Sequence, residues 1–371
     1  MYKIIEEGKA RIKVPFAKKI SKQMEVFYNP VMKLNRDISV LLLNSINKKG
    51  MQIALPLAGT GVRGVRFILE LEKGKIKGLS FNDHNKKATD LIKKNLKLNN
   101  IKSKNVEIYN KDANNFLLES SGFDYIDVDP FGTPNPFLDS AVKRISREGI
   151  LAITATDTSS LSGTYPDACL RKYWAMPLKN EFMHESGIRI LIRKVQLIGA
   201  EHEKALVPIF SYSKEHYFRL FFKCDKGKQK VDKVLKKHGF VLYCKDCLNR
   251  EISEINLGMC CCGNSFEAIG PMWLGDLWDN KLVKNMVNKN KDSNLNRFLE
   301  TILEEAKIKV VGFYDIHKVV KKHKLKSIPK KDFLIERIKN KGLQVCETHF
   351  APNTIRTNAN IKELVGIIRK I

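Results

Sequence analysis

The sequence predicts an α/β protein in which a doubly wound sheet of parallel strands is followed by a smaller α+β domain. Three observations predict it. Strand-like and helix-like segments alternate from about residue 37 to residue 156, and a glycine-rich turn follows the first buried strand. After residue 224 the composition becomes polar and charged, and a cysteine-rich stretch follows. At 371 residues the chain exceeds what one hydrophobic core usually organises, so two domains are expected, 1–224 and 225–371.

The elements of the first domain follow one another in a regular order. Helical spacing of apolar residues covers 38–43, 65–71, 85–99 and 137–145, and strand patterns cover 53–57, 78–83, 106–109, 123–129 and 150–156. Strands that alternate with helices at this interval form a parallel sheet covered on both faces. Ligands bind outside the carboxyl ends of such strands, so function is expected at residues 57–61, 83, 112 and 129.

The charge of the chain predicts a polyanionic partner. Lys and Arg number 66 against 40 Asp and Glu, which leaves a formal net charge of +26. Two basic segments are expected to hold a nucleic-acid backbone without reading its sequence. They contain Lys9, Arg11, Lys13, Lys18, Lys19 and Lys22, and Lys318, Lys321, Lys322, Lys324, Lys326, Lys330 and Lys331. No signal-peptide pattern and no apolar run of roughly 20 residues is present, so a cytoplasmic protein with no membrane segment is expected.

A glycine turn predicts the cofactor site. Gly59, Gly61 and Gly64 fit the pattern G-x-G-x-x-G, and Asp83 ends the second strand. Glycines let a ligand approach the backbone, while an acid at that place accepts hydrogen bonds from ribose hydroxyls. A short loop with Asp112 and Ala113 after the third strand would border the adenine. By itself this pattern suits NAD as well as any other adenosine cofactor.

The end of the fourth strand favours amine methylation, and therefore S-adenosylmethionine over NAD. It carries Asp129, Pro130, Phe131 and Gly132. An exocyclic base amine is a poor nucleophile that must lose a proton as the methyl group arrives, and Asp129 is a suitable acceptor. Pro130 fixes the backbone so that its carbonyl can accept the second amine hydrogen. Phe131 offers a flat face for a flipped base, a contact worth about 1 to 3 kcal/mol.

With these motifs established, the sequence resembles the tRNA guanine-26 N2-dimethyltransferase family. The matching segments are 7–10 with 14–15, 27–32 with 35–37, 61–66, 127–132, 163–166 with 170–173, 216–219, 348–350 and 355–358. The resemblance implies a class I methyltransferase fold, which is Rossmann-like, and tRNA as the partner. It implies that the exocyclic N2 amine of guanine 26 is methylated once or twice, giving N2-methyl- and N2,N2-dimethylguanosine.

The resemblance also implies roles for individual residues. Arg36, together with Arg63 or Arg66, would hold the methionine carboxylate of S-adenosylmethionine or neighbouring loops. Asp83 would bind the ribose, Asp112 and Ala113 would lie beside the adenine, and Asp129 would be the catalytic acceptor. The chain departs from most class I methyltransferases because residues 51–54 supply no acid before the glycines.

A cysteine cluster at 244–263 predicts a zinc-ribbon-like insert. Cys244 and Cys247 form a C-x-x-C pair, and Cys260, Cys261 and Cys262 follow at zinc-ribbon distance. The second group is irregular because Met259 stands where a regular pair would begin. Cys244, Cys247, Cys260 and Cys262 are the predicted ligands of a structural zinc, with Cys261 as the alternative.

Other functions stay open from the sequence alone. The chain could methylate another guanine or adenine amine in RNA. It could be an NAD-dependent dehydrogenase built on the same glycine turn, or a nucleic-acid-binding protein without catalytic activity. No obligate protein partner is evident.

Overall fold

The structure, a computed structural model, describes residues 2–16, 24–102 and 104–371. Its helices are α1 (Lys33–Ser45), α2 (Val62–Glu70), α3 (Lys86–Leu98), α4 (Ala113–Leu118), α5 (Leu138–Arg144), α6 (Thr158–Leu161), α7 (Pro166–Tyr173), α8 (Met183–Glu201), α9 (Lys228–Leu235), α10 (Asn280–Lys289), α11 (Ser293–Lys307), α12 (Ile316–Lys322), α13 (Lys331–Lys339) and α14 (Ile361–Ile368). Its strands are β1 (Tyr2–Glu7), β2 (Ala10–Pro15), β3 (Met51–Leu55), β4 (Ile76–Asn82), β5 (Val106–Tyr109), β6 (Phe123–Val128), β7 (Ile145–Ala155), β8 (Lys204–Lys214), β9 (Tyr217–Lys226), β10 (His238–Tyr243), β11 (Arg250–Ser253), β12 (Glu267–Trp273), β13 (Tyr314–Asp315), β14 (Val345–Glu347) and β15 (Thr354–Thr357).

A seven-stranded sheet organises the first part of the chain. Its strand order is β5-β4-β3-β6-β7-β9-β8, and neighbours from β5 to β7 run parallel as predicted. The last two strands differ, because β9 is antiparallel to both β7 and β8. Only Glu215 and His216 separate β8 from β9. A connection of this length can join antiparallel strands but not parallel ones. The α/β fold predicted from the sequence is confirmed, with an antiparallel hairpin added at one edge.

The order of the strands creates a crevice. Neighbouring strands β3 and β6 pair directly, while the chain between them runs through β4 and β5 at the edge. This reversal is the switch point at which open α/β sheets bind ligands, beyond the carboxyl ends of the strands. The glycine turn follows β3 and Asp129 follows β6, so both predicted motifs lie at this crevice.

The helix after the glycine turn packs unusually close to the sheet. A Cβ on Gly64 of α2 would lie 2.2 Å from Cε1 of Phe81 and 2.8 Å from Cδ1 of Leu55, both buried side chains. Gly59 and Gly61 have positive φ angles of 53° and 76°, a conformation that favours glycine. The three glycines therefore serve the turn and its packing against β3 and β4.

Two smaller antiparallel sheets, β11-β10-β12 and β13-β15-β14, belong to the rest of the chain. One ion pair of a buried cluster joins this part to α8. Arg356 of β15 donates to Glu185 of α8 (2.7 Å) and to Glu305 of α11 (3.1 Å), and Arg189 donates to Glu185 (2.8 Å). The predicted boundary after residue 224 falls two residues before the end of β9. Within the described ranges, no helix combines the length and apolarity that a membrane crossing requires.

Candidate active site

A cavity of about 530 Å³ opens at the carboxyl ends of β3 and β6. Its walls come from the segment before α1, the glycine turn, the loop after β6, the end of β7 and the turn between β8 and β9. The predicted site residues that line it are Arg36, Gly59, Arg63, Asp129, Pro130 and Phe131. The other predicted residues, Gly61, Arg66, Asp83, Asp112 and Ala113, lie outside its lining.

Asp129 meets a cation at the cavity wall. Arg63 of α2 donates from Nη2 to Asp129 Oδ2 (2.5 Å) and from Nη1 to Ser39 Oγ of α1 (2.9 Å). Among the described residues, Asp129 Oδ1 accepts no hydrogen bond. A carboxylate offers about four acceptor positions, so Asp129 is oriented by Arg63 and still has an oxygen available to a ligand.

Another aspartate, Asp127, lies inside β6 two positions before Asp129 and is buried. Asp127 accepts from Nη1 (2.8 Å) and Nη2 (2.7 Å) of Arg219 on β9, and Arg63 Nη1 lies 3.4 Å away. Burial would raise the pKa of Asp127, but the two guanidinium groups hold the pKa below its ordinary value. Asp127 is therefore a charged anchor for Arg219 and Arg63, and through Arg63 it helps to position Asp129.

Arg36 belongs to a buried cluster of ion pairs near the amino terminus. Arg36 donates from Nε and Nη2 to the two carboxylate oxygens of Glu7 (both 2.6 Å). Arg66 also donates to Glu7 (3.1 Å), and it pairs with Asp37 (2.6 Å) and Glu70 (2.7 Å). Arg36 lines the cavity, and its Nη1 makes no hydrogen bond to any described residue. The guanidinium of Arg66, in contrast, contacts three carboxylates.

The predicted ribose and adenine residues lie at neighbouring strand ends. Asp83 follows β4 and accepts from the backbone N–H of Gly59 (2.8 Å) and of Asn85 (2.9 Å). Asp112 follows β5 and caps α4 by accepting from the N–H groups of Asn114 and Asn115. The bond from Gly59 ties Asp83 directly to the glycine turn.

An aromatic pair and a second half-buried carboxylate complete the cavity. The ring of Phe131, 41% exposed, meets the ring of Phe27 edge-on with centroids 4.3 Å apart. Asp157 follows β7 and accepts from the hydroxyl of Tyr173 (2.8 Å). Thr156 exchanges two hydrogen bonds with Gly132, at 2.9 and 2.7 Å, which joins the end of β7 to the loop that carries Asp129.

Sequence reasoning gave no role to Glu7, Asp127, Asp157 or Arg219. For Asp127 a signal existed, because a charged residue between the apolar residues Ile126 and Val128 of a strand requires a partner if it is buried. Nothing local identifies that partner as Arg219, which lies 92 positions away. Asp157 lies beyond the strand end and has the form of an ordinary turn residue.

The four predicted zinc ligands come together. The Sγ atoms of Cys244, Cys247, Cys260 and Cys262 all lie within 4.8 Å of one another, with Cys244 to Cys262 at 3.5 Å and Cys247 to Cys260 at 3.4 Å. A tetrahedral zinc with Zn–S bonds near 2.3 Å separates its sulfurs by about 3.8 Å, so this arrangement fits the metal. Cys261 is exposed and lies outside the group.

A basic groove lies between β8–β9, α9 and the start of α10, with a volume of about 1130 Å³. Its lysines are Lys223, Lys230, Lys233, Lys236, Lys237, Lys281, Lys307 and Lys309. Among the described residues, Lys233, Lys236, Lys237 and Lys281 have no carboxylate partner.

The described residues of the two basic segments predicted from the sequence lie outside this groove. Lys9, Arg11 and Lys13 lie on or beside β1–β2, whereas Lys18, Lys19 and Lys22 lie outside the described residues. The second segment covers α12, the loop after it and the first residue of α13. The groove is therefore a third concentration of positive charge. Its lysines are spread along the sequence from Lys223 to Lys309, so they do not form one basic segment.

Residues 8–369 match the family described as TRM, N2,N2-dimethylguanosine tRNA methyltransferase. The chain is 42% identical to the tRNA (guanine(26)-N(2)/guanine(27)-N(2))-dimethyltransferase of Aquifex aeolicus, over 98% of this chain and 94% of the relative. It is 41% identical to the tRNA (guanine(26)-N(2))-dimethyltransferase of Methanosphaera stadtmanae, over 99% and 97%. Among solved structures it is similar to Trm1 from Pyrococcus horikoshii in complex with S-adenosyl-L-methionine, with a TM-score of 0.88 and 35% identity over 98% of this chain and 99% of that one.

Proposed function

The chain belongs to the N2,N2-dimethylguanosine tRNA methyltransferase family, and we propose that it methylates the exocyclic N2 amine of guanine 26 in tRNA with S-adenosylmethionine. The membership confirms the resemblance carried by the sequence motifs. One observation carries the proposal: Asp129 presents an available carboxylate oxygen in the cavity at the switch point, beside the glycine turn. The products are N2-methylguanosine and N2,N2-dimethylguanosine.

Asp129 acts on the amine of the base. The lone pair of that amine is delocalised into the ring, and the nitrogen must lose a proton as its bond to carbon forms. Asp129 Oδ1 accepts a hydrogen bond from the amine and is the group placed to take the proton, while Arg63 on Oδ2 keeps the carboxylate in position. Because the monomethylated amine retains one N–H, the same carboxylate can serve a second transfer once it has released the first proton to solvent.

The residues around the glycine turn fit an adenosine cofactor. Gly59 and Gly61 present backbone at positive φ, and the buried hydroxyl of Thr60 has no hydrogen-bond partner among the described residues. We assign Arg36 to the methionine carboxylate, Asp83 to the ribose, and Asp112 with Ala113 to the adenine. When bound, S-adenosylmethionine supplies a methyl group on a positively charged sulfur, which keeps the electron pair of the broken C–S bond.

The base and the rest of the tRNA need separate contacts. Phe131, packed against Phe27, offers its exposed face to a base that has left the helical stack. The proposal assigns residues 1–224 to methyl transfer and 225–371 to tRNA binding, with the basic groove holding the phosphate backbone. The four clustered thiols would hold a structural zinc that stabilises the β10–β12 sheet and takes no part in the chemistry. We place the protein in the cytoplasm, where such a tRNA substrate is present.

Product analysis tests the function. The protein is incubated with unmodified tRNA and labelled S-adenosylmethionine, and the tRNA is digested to nucleosides. We expect label in N2-methylguanosine and N2,N2-dimethylguanosine, and its loss when guanine 26 is replaced by adenine. Label that persists after this replacement but disappears when guanine 27 is replaced would move the target by one nucleotide. Label in another nucleoside, or binding of NAD in place of S-adenosylmethionine, would contradict the proposal.

A further inference from the structure

A second carboxylate faces the cavity in which Asp129 lies. Asp157 lines the same cavity, and its side chain is 14% exposed. Asp129 and Asp157 follow neighbouring parallel strands, β6 and β7. The paired hydrogen bonds between Thr156 and Gly132 hold the two strand ends together. The fold therefore brings two carboxylates to one small cavity.

The surroundings of Asp157 orient its carboxylate and leave acceptor capacity. The hydroxyl of Tyr173 lies 2.8 Å from both oxygens and shares its one hydrogen between them, and Lys172 Nζ lies 3.4 Å from Oδ2. Burial, with the charge of Asp157, raises the pKa of Tyr173 well above its ordinary value, so this hydroxyl remains a donor. Tyr173 also touches Thr133 Oγ1 (2.9 Å) in the loop after Asp129. Asp157 Oδ1 keeps a lone pair for a ligand, since among the described residues Tyr173 alone donates to it.

The edge of guanine that carries the target amine matches two carboxylates. Guanine presents two adjacent donors there, the N1–H and the N2 amine. Adenine has a lone pair at N1 and no amine at position 2. An ionised carboxylate only accepts hydrogen bonds, so a carboxylate opposite N1 attracts guanine and repels a base that has a lone pair at that position.

We propose that Asp157 is a specificity-determining residue, which accepts the hydrogen bond of N1–H while Asp129 accepts from the N2 amine. This inference rests on the proposed function and names how the same site selects its base. A site that accepts a hydrogen bond from a substrate N–H can lower kcat/KM for an analogue that lacks this N–H by up to about 10⁴ to 10⁵, because a buried acceptor of the site is then left unpaired.

The test uses tRNA with 2-aminopurine at position 26. This base keeps the 2-amino group but has a lone pair at N1 and no oxygen at position 6. For the wild-type protein we expect kcat/KM on 2-aminopurine to be at least about 100-fold below that on guanine. The Asp157→Asn variant presents an amide N–H to the lone pair. We expect its ratio of kcat/KM, 2-aminopurine over guanine, to rise at least about tenfold above the wild-type ratio.

Tyr173→Phe is the matched control. It removes the hydroxyl that orients Asp157 but keeps the negatively charged carboxylate, so its ratio of kcat/KM, 2-aminopurine over guanine, should rise less than the ratio of Asp157→Asn. An unchanged ratio in Asp157→Asn would overturn the inference. So would a wild-type protein that uses 2-aminopurine as well as guanine, a result that needs no variant to fold. Failure of the proposed function is distinguishable, because the wild-type protein would then not methylate guanine-26 tRNA at all.

Discussion

Asp127 and Asp129 are two positions apart and have opposite surroundings. Asp127 is buried against Arg219, with Arg63 nearby. Asp129 lines the cavity with one oxygen on Arg63, and its other oxygen accepts no hydrogen bond from the part of the chain that the structure describes. Removing the partner of a fully buried charge destabilises the fold far more than breaking an ion pair at the edge of a cavity. The first aspartate should therefore govern stability and the second activity.

Replacing each aspartate by asparagine separates these roles. Asp127→Asn leaves the guanidinium of Arg219 without its charge partner, so we expect a loss of about 3 to 5 kcal/mol in the free energy of unfolding. Asp129→Asn removes the proton acceptor, so we expect kcat to fall by about 10² to 10⁴ with tRNA affinity nearly unchanged. Chemical denaturation measures the loss of stability in Asp127→Asn, and single-turnover methylation measures the loss of rate in Asp129→Asn. Normal methylation by Asp129→Asn would show that another group accepts the proton.

The turn into α2 depends on a close contact between a helix and the sheet. Gly64→Ala would place a methyl group 2.2 Å from the ring of Phe81, and both that ring and the neighbouring Leu55 are buried. Overpacking of this kind costs about 1 to 3 kcal/mol, and we expect that loss in a urea titration.

Gly366→Ala supplies the control in another helix. A Cβ there meets no atom within 4 Å, and the residue lies inside α14. We expect a gain of about 0.5 to 1 kcal/mol from the lower conformational entropy of alanine in the unfolded chain. If Gly64→Ala and Gly366→Ala changed the free energy of unfolding equally, the contact with Phe81 would not be the reason that position 64 requires glycine.

The cysteine cluster between β10 and β12 is predicted to bind zinc. Cys247→Ser removes one of four clustered thiols, whereas Cys261→Ser changes an exposed residue outside the cluster. We expect one zinc per chain in the wild-type protein and in Cys261→Ser, and loss of zinc with a lower Tm in Cys247→Ser. Metal analysis and thermal unfolding measure this. Loss of zinc in Cys261→Ser instead would transfer a ligand role to that residue.

At the scale of the whole molecule, one buried ion-pair cluster joins α8 to the carboxy-terminal part. Burial would raise the pKa of Glu185, but Arg356 and Arg189 lower the pKa to about 2. Its folded pKa lies below its ordinary value of 4.5, so its contribution is complete above about pH 5 and is lost as the pH falls toward 2.

Glu185→Gln tests this junction. At pH 7 we expect a loss of about 3 to 5 kcal/mol in unfolding free energy, and the difference from the wild type should shrink as the pH falls from 5 to 2. Lys86→Gln breaks an exposed pair with Asp90 and should cost less than about 1 kcal/mol at any pH. If the difference in unfolding free energy between Glu185→Gln and the wild type did not depend on pH, the charge of Glu185 would not be its cause.

The basic groove predicts how the molecule holds tRNA. Lys233→Glu with Lys236→Glu places two acids in it, so we expect a higher KM for tRNA and an unchanged kcat. The salt slope of binding should weaken by about 0.7 to 0.9 for each phosphate that the protein no longer neutralises.

Lys77→Glu with Lys104→Glu is the matched control for the groove. These exposed lysines lie by β4 and β5, at the edge of the seven-stranded sheet opposite β8. Their reversal changes the net charge by the same amount but leaves the groove intact, so KM should change less. If both pairs raise KM equally, the overall charge and not the groove attracts the tRNA.

The sequence by itself determined the parallel strands from β3 to β7, the position of the glycine turn and Asp129 at strand ends, and the grouping of the cysteines. These features are local. Strand and helix periods, turn residues and ligand spacings are properties of neighbouring residues, so a single sequence displays them.

Only the tertiary structure decided which distant residues meet. It placed β9 between β7 and β8, joined Asp127 to Arg219 across 92 positions, and paired Glu185 with Arg356 across 171. It also brought Asp157 to the cavity of Asp129. The physical reason is that a buried charge requires an opposite charge, yet the choice among many arginines depends on how the elements pack, and packing is a property of the whole chain.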